Sequence, residues 1–348
     1  MSAARGRMLL IAVAALPVLA LIGRWAIDGG NKEVSAHPAS PDLGVYRGAS
    51  NLAGVAGFER WLGREVGVRL DFLPGGSWEE IEGPGWQLRR WKGGGGTLVL
   101  TVPLLPGPWD RTYGGGVSLR DCRSGAYDVH WTRLARNLVA HQLGTSRLRL
   151  GHEFNGGWYA WRAAGAEADF AGCFRRVVQA MRTVPGSAFR FDWNPALGHL
   201  DADPLRAYPG DPYVDTIGID VYDQSWLPDT YPIPGGASPG EVLERRRRAW
   251  SGMLHGDLGL EFWSHFARAH GKRLAIPEWG LTRRSDGHGG GDNPYFVEQV
   301  HRFVSDPANR VAYLIYFEHD ARDGEHRLTG GRFGRAASSF RARFGAVR

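Results

Sequence analysis

Two short segments combine a glutamate with aromatic residues directly after a run of apolar residues. The first follows residues 148–150 and contains Glu153, and the second follows residues 273–276 and contains Glu278. A carboxyl group can supply or remove a proton, and a flat aromatic ring packs on the apolar face of a pyranose. Hydrolysis of a glycosidic bond uses a pair of such carboxyl groups. The two segments together therefore predict a glycosidase.

The segment around Glu153 also supplies candidate substrate-binding residues. These are His152, Asn155, Trp158, Tyr159 and Trp161. Large aromatic residues in a glycine-containing loop are costly to expose unless they form a binding surface. The pair His152-Glu153 begins like a zinc-protease motif, but that motif needs a second histidine three residues after the glutamate, where Gly156 stands. The sequence therefore excludes this metalloprotease class, and we expect no metal.

Further candidate substrate-binding residues occur where other apolar runs end. They are Asn194, Tyr222, Trp226, Trp279 and Phe317, with Trp109 as a weaker candidate for sugar stacking. Tyr222 ends the apolar run that precedes the Glu278 segment, so its hydroxyl is expected to hydrogen-bond the Glu278 carboxylate. An ordinary core tyrosine is the alternative interpretation.

Eight short apolar runs alternate with longer amphipathic segments. They span 43–46, 66–72, 97–104, 146–150, 189–193, 216–221, 273–276 and 311–317. Strands that are apolar throughout and separated by helices indicate a parallel sheet covered on both faces. Eight such units favour the α/β class and a (β/α)₈ TIM barrel, in which the chemistry lies where strands end. Both glutamates follow their strands in this register.

The N-terminus has the pattern of an export segment. Arg5 and Arg7 precede a charge-free apolar run from Met8 to Ile22, which is short for a membrane span of about 20 residues. We expect a signal peptide or uncleaved signal anchor over 1–27, a linker over 28–42 and a single catalytic domain over 43–348. The domain would be secreted, or tethered through residues 8–27 to the outer face of the cytoplasmic membrane.

Cysteine content and charge give weaker indications. The only cysteines, Cys122 and Cys173, form either one disulfide or two separate buried thiols. The formal net charge of +6 comes almost entirely from arginine, and the one dense run, Arg245–Arg248, falls in a helical segment. Such a run is usually a solvated helix face. We therefore expect a polysaccharide or oligosaccharide partner, no nucleic acid, and a monomer.

Three longer motifs follow one another along the chain. They are His-Glu-Phe-Asn-Gly at 152–156 with Trp158, Tyr-Pro-Gly-Asp-Pro-Tyr-Val-Asp at 208–215 with Gly-Ile-Asp-Val-Tyr at 218–222, and Glu-Trp-Gly at 278–280. Together they resemble glycoside hydrolase family 26, the β-mannanase family, over most of residues 43–320. The resemblance implies a (β/α)₈ barrel and retaining cleavage of β-linked polysaccharide without a cofactor. It makes Glu153 the general acid/base and Glu278 the nucleophile, with His152, Trp158 and Tyr222 as neighbours.

One departure from the family pattern affects the substrate. Strand eight of such enzymes commonly ends in a tryptophan that forms the floor of the cleavage subsite, whereas Tyr316 and Phe317 stand here. Endo-cleavage of β-1,4-mannan is the first expectation, and β-1,3-xylan, mixed-linkage glucan or an exopolysaccharide are the alternatives. A non-catalytic carbohydrate-binding barrel in a membrane-attached polysaccharide assembly is the rival from another class. A metal-dependent deacetylase would need a cluster of Asp and His ligands, which the 12 histidines do not form at a recognisable spacing.

Overall fold

The computed structural model describes residues 40–83, 85–107 and 116–346. The expected export segment, most of the expected linker, and Trp109 lie outside the described residues. Asp42, which the linker prediction included, is the first residue of a strand. The described residues belong to one compact unit.

A closed sheet of parallel strands forms the centre of the fold. The strands are β1 Asp42–Tyr46, β2 Val68–Phe72, β3 Thr97–Val102, β4 Arg147–Leu150, β5 Arg190–Trp193, β6 Thr216–Gly218, β7 Val221–Tyr222, β8 Arg273–Gly280 and β9 Val311–Phe317. Strands β1 to β6 pair in order, and β8 closes the ring by pairing with β6 and with β9, which pairs with β1. The short β7 pairs with β8 and continues β6 after a gap of two residues. The barrel thus has eight strand positions, which confirms the predicted (β/α)₈ fold.

Helices follow most of the strands in the chain and pack around the outside of the barrel. They are α1 Leu52–Leu62, α2 Trp78–Glu82, α3 Gly85–Trp91, α4 Leu119–Ser124, α5 Asp128–Ala140, α6 Glu167–Arg182, α7 Pro239–His255, α8 Leu260–Ala269, α9 Pro294–Ser305 and α10 Gly334–Phe344. The α6 helix buries Phe170, Phe174 and Val177, which stand three or four residues apart and therefore lie on one face. No helix among the described residues is long and apolar enough to cross a bilayer.

Successive side chains of each strand point alternately toward the surrounding helices and toward the barrel interior. Leu148 and Leu150 of β4 pack in the large apolar cluster shared with the helices. Arg149 lies between them and points the other way, since successive side chains of a strand face opposite sides. A second, smaller apolar cluster consists of strand residues such as Val68, Val99 and Ile315 and fills part of the interior. The polar residues of the barrel mouth lie above it.

The arginine run on α7 is not a uniform solvated face, which corrects the sequence interpretation. Arg246 is buried, and its guanidinium donates hydrogen bonds to the backbone oxygens of Gly290 and Asp292. The exposed Arg248 instead pairs with Glu244 one turn earlier on the same helix. Arg246 therefore fixes the loop after β8 against α7.

A disulfide joins the two cysteines, so the first of the two alternatives is correct. Cys122 on α4 and Cys173 on α6 are bonded, with their Cα atoms 5.0 Å apart. The segment between them, residues 123–172, includes α5, β4 and the loop that carries Glu153. The bond therefore restrains the segment that holds one of the two predicted catalytic carboxyl groups.

Candidate active site

Glu278 lies near the carboxyl end of β8 and is only 6% exposed. Its Oε1 accepts a hydrogen bond from Nη1 of Arg149, and its Oε2 accepts one from the hydroxyl of Tyr222 at 2.7 Å. The expected hydrogen bond from Tyr222 is therefore present. A cation on one oxygen and a hydroxyl on the other are the partners that hold a carboxylate anion in a fixed orientation.

Arg149 is fully buried and bonds four polar groups, one of which is Glu278. Its guanidinium donates to Glu278, to a carboxylate oxygen of Asp220, to the side-chain oxygen of Asn194 and to the hydroxyl of Thr101. Burial disfavours the charge of Arg149, but the carboxylates of Asp220 and Glu278 outweigh it and raise its pKa above the ordinary value. One cation thus serves two carboxylates in the barrel mouth.

Glu153 lies in the loop after β4 and is partly exposed. Its backbone has a φ of +50°, which is uncommon outside glycine, and its N–H donates to the backbone oxygen of Asn194 at 2.8 Å. The indole N–H of Trp158 donates to its Oε2 at 2.9 Å. Burial, followed by the negative charge of Glu278, raises the pKa of Glu153 to about 7, although Arg149 acts in the opposite direction. Glu153 therefore carries a proton below about pH 7.

His152 is held beneath the loop by two aromatic neighbours. Its Nε2 lies 2.8 Å from the hydroxyl of Tyr159, and the indole N–H of Trp161 donates to its backbone oxygen at 2.8 Å. Tyr159 and Trp161 stack with ring centroids 4.5 Å apart. Burial and the positive charge of Arg149 keep the pKa of His152 well below its usual range, so the imidazole is neutral. Trp161 is only 5% exposed and supports Tyr159.

Phe317 occupies the end of β9 at the barrel mouth. Its ring centroid lies 5.0 Å from that of Tyr46 and 6.0 Å from that of Tyr222. Tyr316 points to the outside of the barrel, is fully buried, and donates its hydroxyl hydrogen bond to the backbone oxygen of His326. Of the two residues considered as replacements for the family's tryptophan, Phe317 is therefore the one at the mouth.

Besides His152 and Trp161, three further substrate-binding candidates from the sequence are buried. The side-chain amide of Asn155 bonds both the N–H and the oxygen of Ala196, each at 2.8 Å, and Asn194 lies beneath Arg149. Trp279 is fully buried and stacks on Phe340 of α10 at 5.7 Å. The prediction that Trp279 stacks on sugar is thus wrong, because β8 continues through Gly280 and places Trp279 on the side opposite Glu278. The two asparagines position loops, which corrects their prediction as sugar contacts.

Two tryptophans of the candidate set remain open to solvent. Trp158 is 41% exposed beside Glu153, and Trp226, on the loop after β7, is 58% exposed. Both therefore keep ring surface that a pyranose can cover.

Sequence reasoning missed the residues that connect the two glutamates. Arg149 and Asp220 are single charged residues within apolar strand segments, and nothing in the sequence around Thr101 or Phe72 indicates a role in the site. An arginine inside an otherwise apolar strand was the available signal, since a buried charge needs a partner. Phe72 lines the mouth beside His152, with ring centroids 5.7 Å apart.

Comparison with known proteins finds similarity to glycoside hydrolases. The model of glycosyl hydrolase family 26 matches residues 136–235. Over 191 residues the chain is 28% identical to a mannan endo-1,4-beta-mannosidase of Bifidobacterium adolescentis, covering 50% of this chain and 16% of that enzyme. Over 117 residues it is 30% identical to endoglucanase H of Acetivibrio thermocellus, covering 30% of this chain and 13% of that enzyme. The matched part is thus less than a fifth of each relative.

Solved structures share the fold at low sequence identity. A modular endo-beta-1,4-mannanase from Cellulomonas fimi superimposes with a TM-score of 0.61 and 21% identity, covering 89% of this chain and 71% of that one. The catalytic domain of a Bacillus endo-beta-1,4-mannanase gives a TM-score of 0.56 and 18% identity, covering 88% and 86%. These likenesses support the barrel fold. The family match over the segment that carries Glu153 and Tyr222 confirms the resemblance to glycosyl hydrolase family 26 that the sequence predicted.

Proposed function

We propose that the protein is an exported, retaining, endo-acting glycoside hydrolase of β-linked polysaccharide, with β-1,4-mannan as the first substrate. The observation that carries the proposal is the contrast between the two glutamates. Glu278 is held between a guanidinium and a hydroxyl, whereas Glu153 has a pKa of about 7. One group suited to attack and one suited to donate a proton are what the retaining mechanism needs.

In the first step, a carboxylate oxygen of Glu278 forms a bond to the anomeric carbon while the bond from that carbon to the leaving oxygen breaks. Glu153 gives its proton to the leaving oxygen. In the second step, Glu153 takes a proton from water, whose oxygen attacks the anomeric carbon and releases Glu278. The negative charge passes from Glu278 to Glu153 and back, and both groups end as they began. The mechanism predicts carboxyl groups about 5–5.5 Å apart.

Leaving-group dependence tests the assignment of the two glutamates. Glu278→Ala should abolish turnover while the far-UV circular dichroism and melting temperature stay near those of the wild type. Glu153→Gln should slow the hydrolysis of oligosaccharides much more than that of activated aryl glycosides, because only poor leaving groups need the proton. Equal losses on both substrates would argue against Glu153 as the acid. Proton NMR of the first product should show retained anomeric configuration.

The sugar and its linkage are tested by a polymer screen. The two curated relatives are named for mannan and for endoglucanase activity, and Phe317 offers a smaller ring than the family's tryptophan. We therefore propose mannan first, and expect β-1,3-xylan, mixed-linkage glucan or an exopolysaccharide as the substrate if mannan is not cleaved. Affinity for oligosaccharide without any turnover would support the non-catalytic alternative. A deacetylase would need clustered ligands, and the described residues contain no group of three or more His, Cys, Asp or Glu that could hold a metal ion.

Export to an oxidising compartment is proposed from two observations. The charge pattern of the N-terminal residues fits a signal segment, and the disulfide between Cys122 and Cys173 is the kind of bond that persists outside the cytoplasm. Whether residues 8–27 tether the protein to the membrane is tested by cell fractionation and N-terminal sequencing of the mature enzyme. We expect the enzyme to be a monomer by light scattering.

A further inference from the structure

His326 is a buried residue of the loop after β9 that the chemistry at the two glutamates does not use. It is only 1% exposed. Its ring centroid lies 5.3 Å from that of Tyr222 and 5.5 Å from that of Phe317, distances at which ring pairs attract each other. Tyr222 in turn donates the 2.7 Å hydrogen bond to Oε2 of Glu278. One ring contact and one hydrogen bond therefore join His326 to the proposed nucleophile.

Three hydrogen bonds from different segments fix His326 in place. Its backbone N–H donates to Oδ1 of Asp320 at 2.9 Å, and its backbone oxygen accepts from the hydroxyl of Tyr316 at 2.8 Å. Its Nδ1 lies 2.8 Å from the backbone oxygen of Leu281. Because a carbonyl oxygen only accepts, Nδ1 carries the proton and donates it to this bond. The imidazole cannot turn without losing the bond, so its ring is a fixed surface.

The backbone next to His326 ties its loop to the end of β8. Arg283, in the loop after β8, and Glu325, one residue before His326, exchange two backbone hydrogen bonds of 3.0 and 3.2 Å. Leu281, which accepts from the imidazole, directly follows β8, the strand that carries Glu278. The ring of His326 is therefore held from the same strand as the Glu278 carboxylate.

Tyr222 is a partly exposed residue whose ring needs support to keep one orientation. Two rotatable bonds carry a tyrosine ring, and the backbone partner of Tyr222 in β8 is Gly280, which offers no side chain. A Cβ atom at Gly280 would lie 3.4 Å from Cε1 of Tyr222, so the ring lies directly against this backbone. Among the described residues, the rings in contact with Tyr222 are those of Phe317 and His326. Their packing therefore helps to fix the direction in which the hydroxyl points.

We propose that His326 is a positioning residue for the reaction: its fixed imidazole packs against Tyr222 and keeps the phenol hydroxyl aimed at the Glu278 carboxylate. The inference rests on the proposed glycosidase function and deepens it, because it adds a residue that acts on the nucleophile through Tyr222. A nucleophile loses rate when the groups that support it loosen, and a displacement of about 1 Å costs up to about 100-fold. Loss of the imidazole should therefore lower the rate of the chemical step more than it changes substrate binding.

A double-mutant cycle tests whether His326 acts through the hydroxyl of Tyr222. His326→Ala should lower kcat on a β-1,4-mannan hexasaccharide about tenfold, with a smaller change in KM. In a Tyr222→Phe background the same substitution should have no further effect on kcat, because the hydroxyl that it positions is absent. His301→Ala is the matched control, since His301 on α9 also packs on an aromatic ring, that of Phe344 at 5.1 Å, and should leave kcat unchanged.

A second substitution separates the ring contact from the stability of the loop. His326→Asn keeps an N–H group that can donate to the oxygen of Leu281 but removes the imidazole face. Its melting temperature should stay closer to that of the wild type than the melting temperature of His326→Ala, whereas kcat should fall about as far in both variants. A kcat that follows the melting temperature through the three proteins would contradict the positioning role.

A spectroscopic measurement without turnover separates this inference from the proposed function. With tyrosine labelled with carbon-13 at Cζ, the resonance of Tyr222 is the one missing from the spectrum of Tyr222→Phe, and Glu278→Ala gives its position without the acceptor. His326→Ala should move the resonance toward that position. If the wild type hydrolyses no glycan but this shift is seen, the proposed function fails and the positioning role of His326 stands. An unchanged resonance in His326→Ala, or an equal fall in kcat in both backgrounds, would overturn the inference.

Discussion

The pH dependence of hydrolysis gives the most direct test of the proposed proton donor. Glu153 must carry its proton to assist the leaving group, and its pKa is about 7. About half of the molecules are therefore protonated at pH 7, and about a tenth at pH 8, so kcat/KM should fall about tenfold for each further pH unit. The pKa is raised by burial and by the charge of Glu278. Both causes favour the protonated form of Glu153. The proton, and activity with it, is therefore lost as the pH rises through about 7.

The assay compares two substrates and one variant. The wild type is followed between about pH 5 and pH 9 on a mannan oligosaccharide, whose cleavage needs the proton, and on an activated aryl glycoside, whose first step needs it less. Glu278→Gln removes the charge opposite Glu153, so a carbon-13 NMR titration of Glu153 in that variant should give a pKa below that of the wild type. A basic limb on the oligosaccharide that persists unchanged in Glu153→Ala would refute the reasoning.

Three further predictions concern the groups around this pair. Tyr222→Phe removes the 2.7 Å hydrogen bond to Glu278 and should lower kcat about 10- to 100-fold with little change in melting temperature, as stopped assays and calorimetry would show. Arg149→Met leaves buried carboxylates without their cation and should destabilise the fold by about 3–5 kcal/mol in urea unfolding; an unchanged midpoint would contradict this. Replacing both Cys122 and Cys173 by serine should cost about 4 kcal/mol, since the bond closes a long loop; equal stability of the reduced and oxidised wild type would contradict this.

The barrel was predictable because its strands have a strong local pattern. Each predicted run became a strand, and the two glutamates came to the carboxyl ends of β4 and β8 as the fold requires. The hydrogen bonds between side chains of different strands cannot be predicted from the sequence of any single strand. That Tyr222 bonds Glu278 could be expected because consecutive parallel strands are neighbours in a barrel.

The charged network and the burial of Trp279 were not predictable for a different reason. The partners of Arg149 come from strands β3 and β8, from Asn194 directly after β5, and from Asp220, so their meeting depends on the closed sheet and not on spacing in the chain. The prediction for Trp279 was wrong because the predicted strand ended at residue 276, whereas β8 continues to Gly280. Within a strand, successive side chains point to opposite sides, so Trp279 points away from Glu278. Strand boundaries therefore limited the site prediction more than residue types did.

The covalent bond between α4 and α6 has a consequence for a protein that meets proteases. A backbone cut anywhere between Cys122 and Cys173 opens a ring without releasing a fragment, so the loop carrying Glu153 stays attached to the barrel. Surface loops are the usual sites of such nicks. The nicked chain would run as one band on a gel until a reductant separates it into two, and the acid group would remain within reach of its partner.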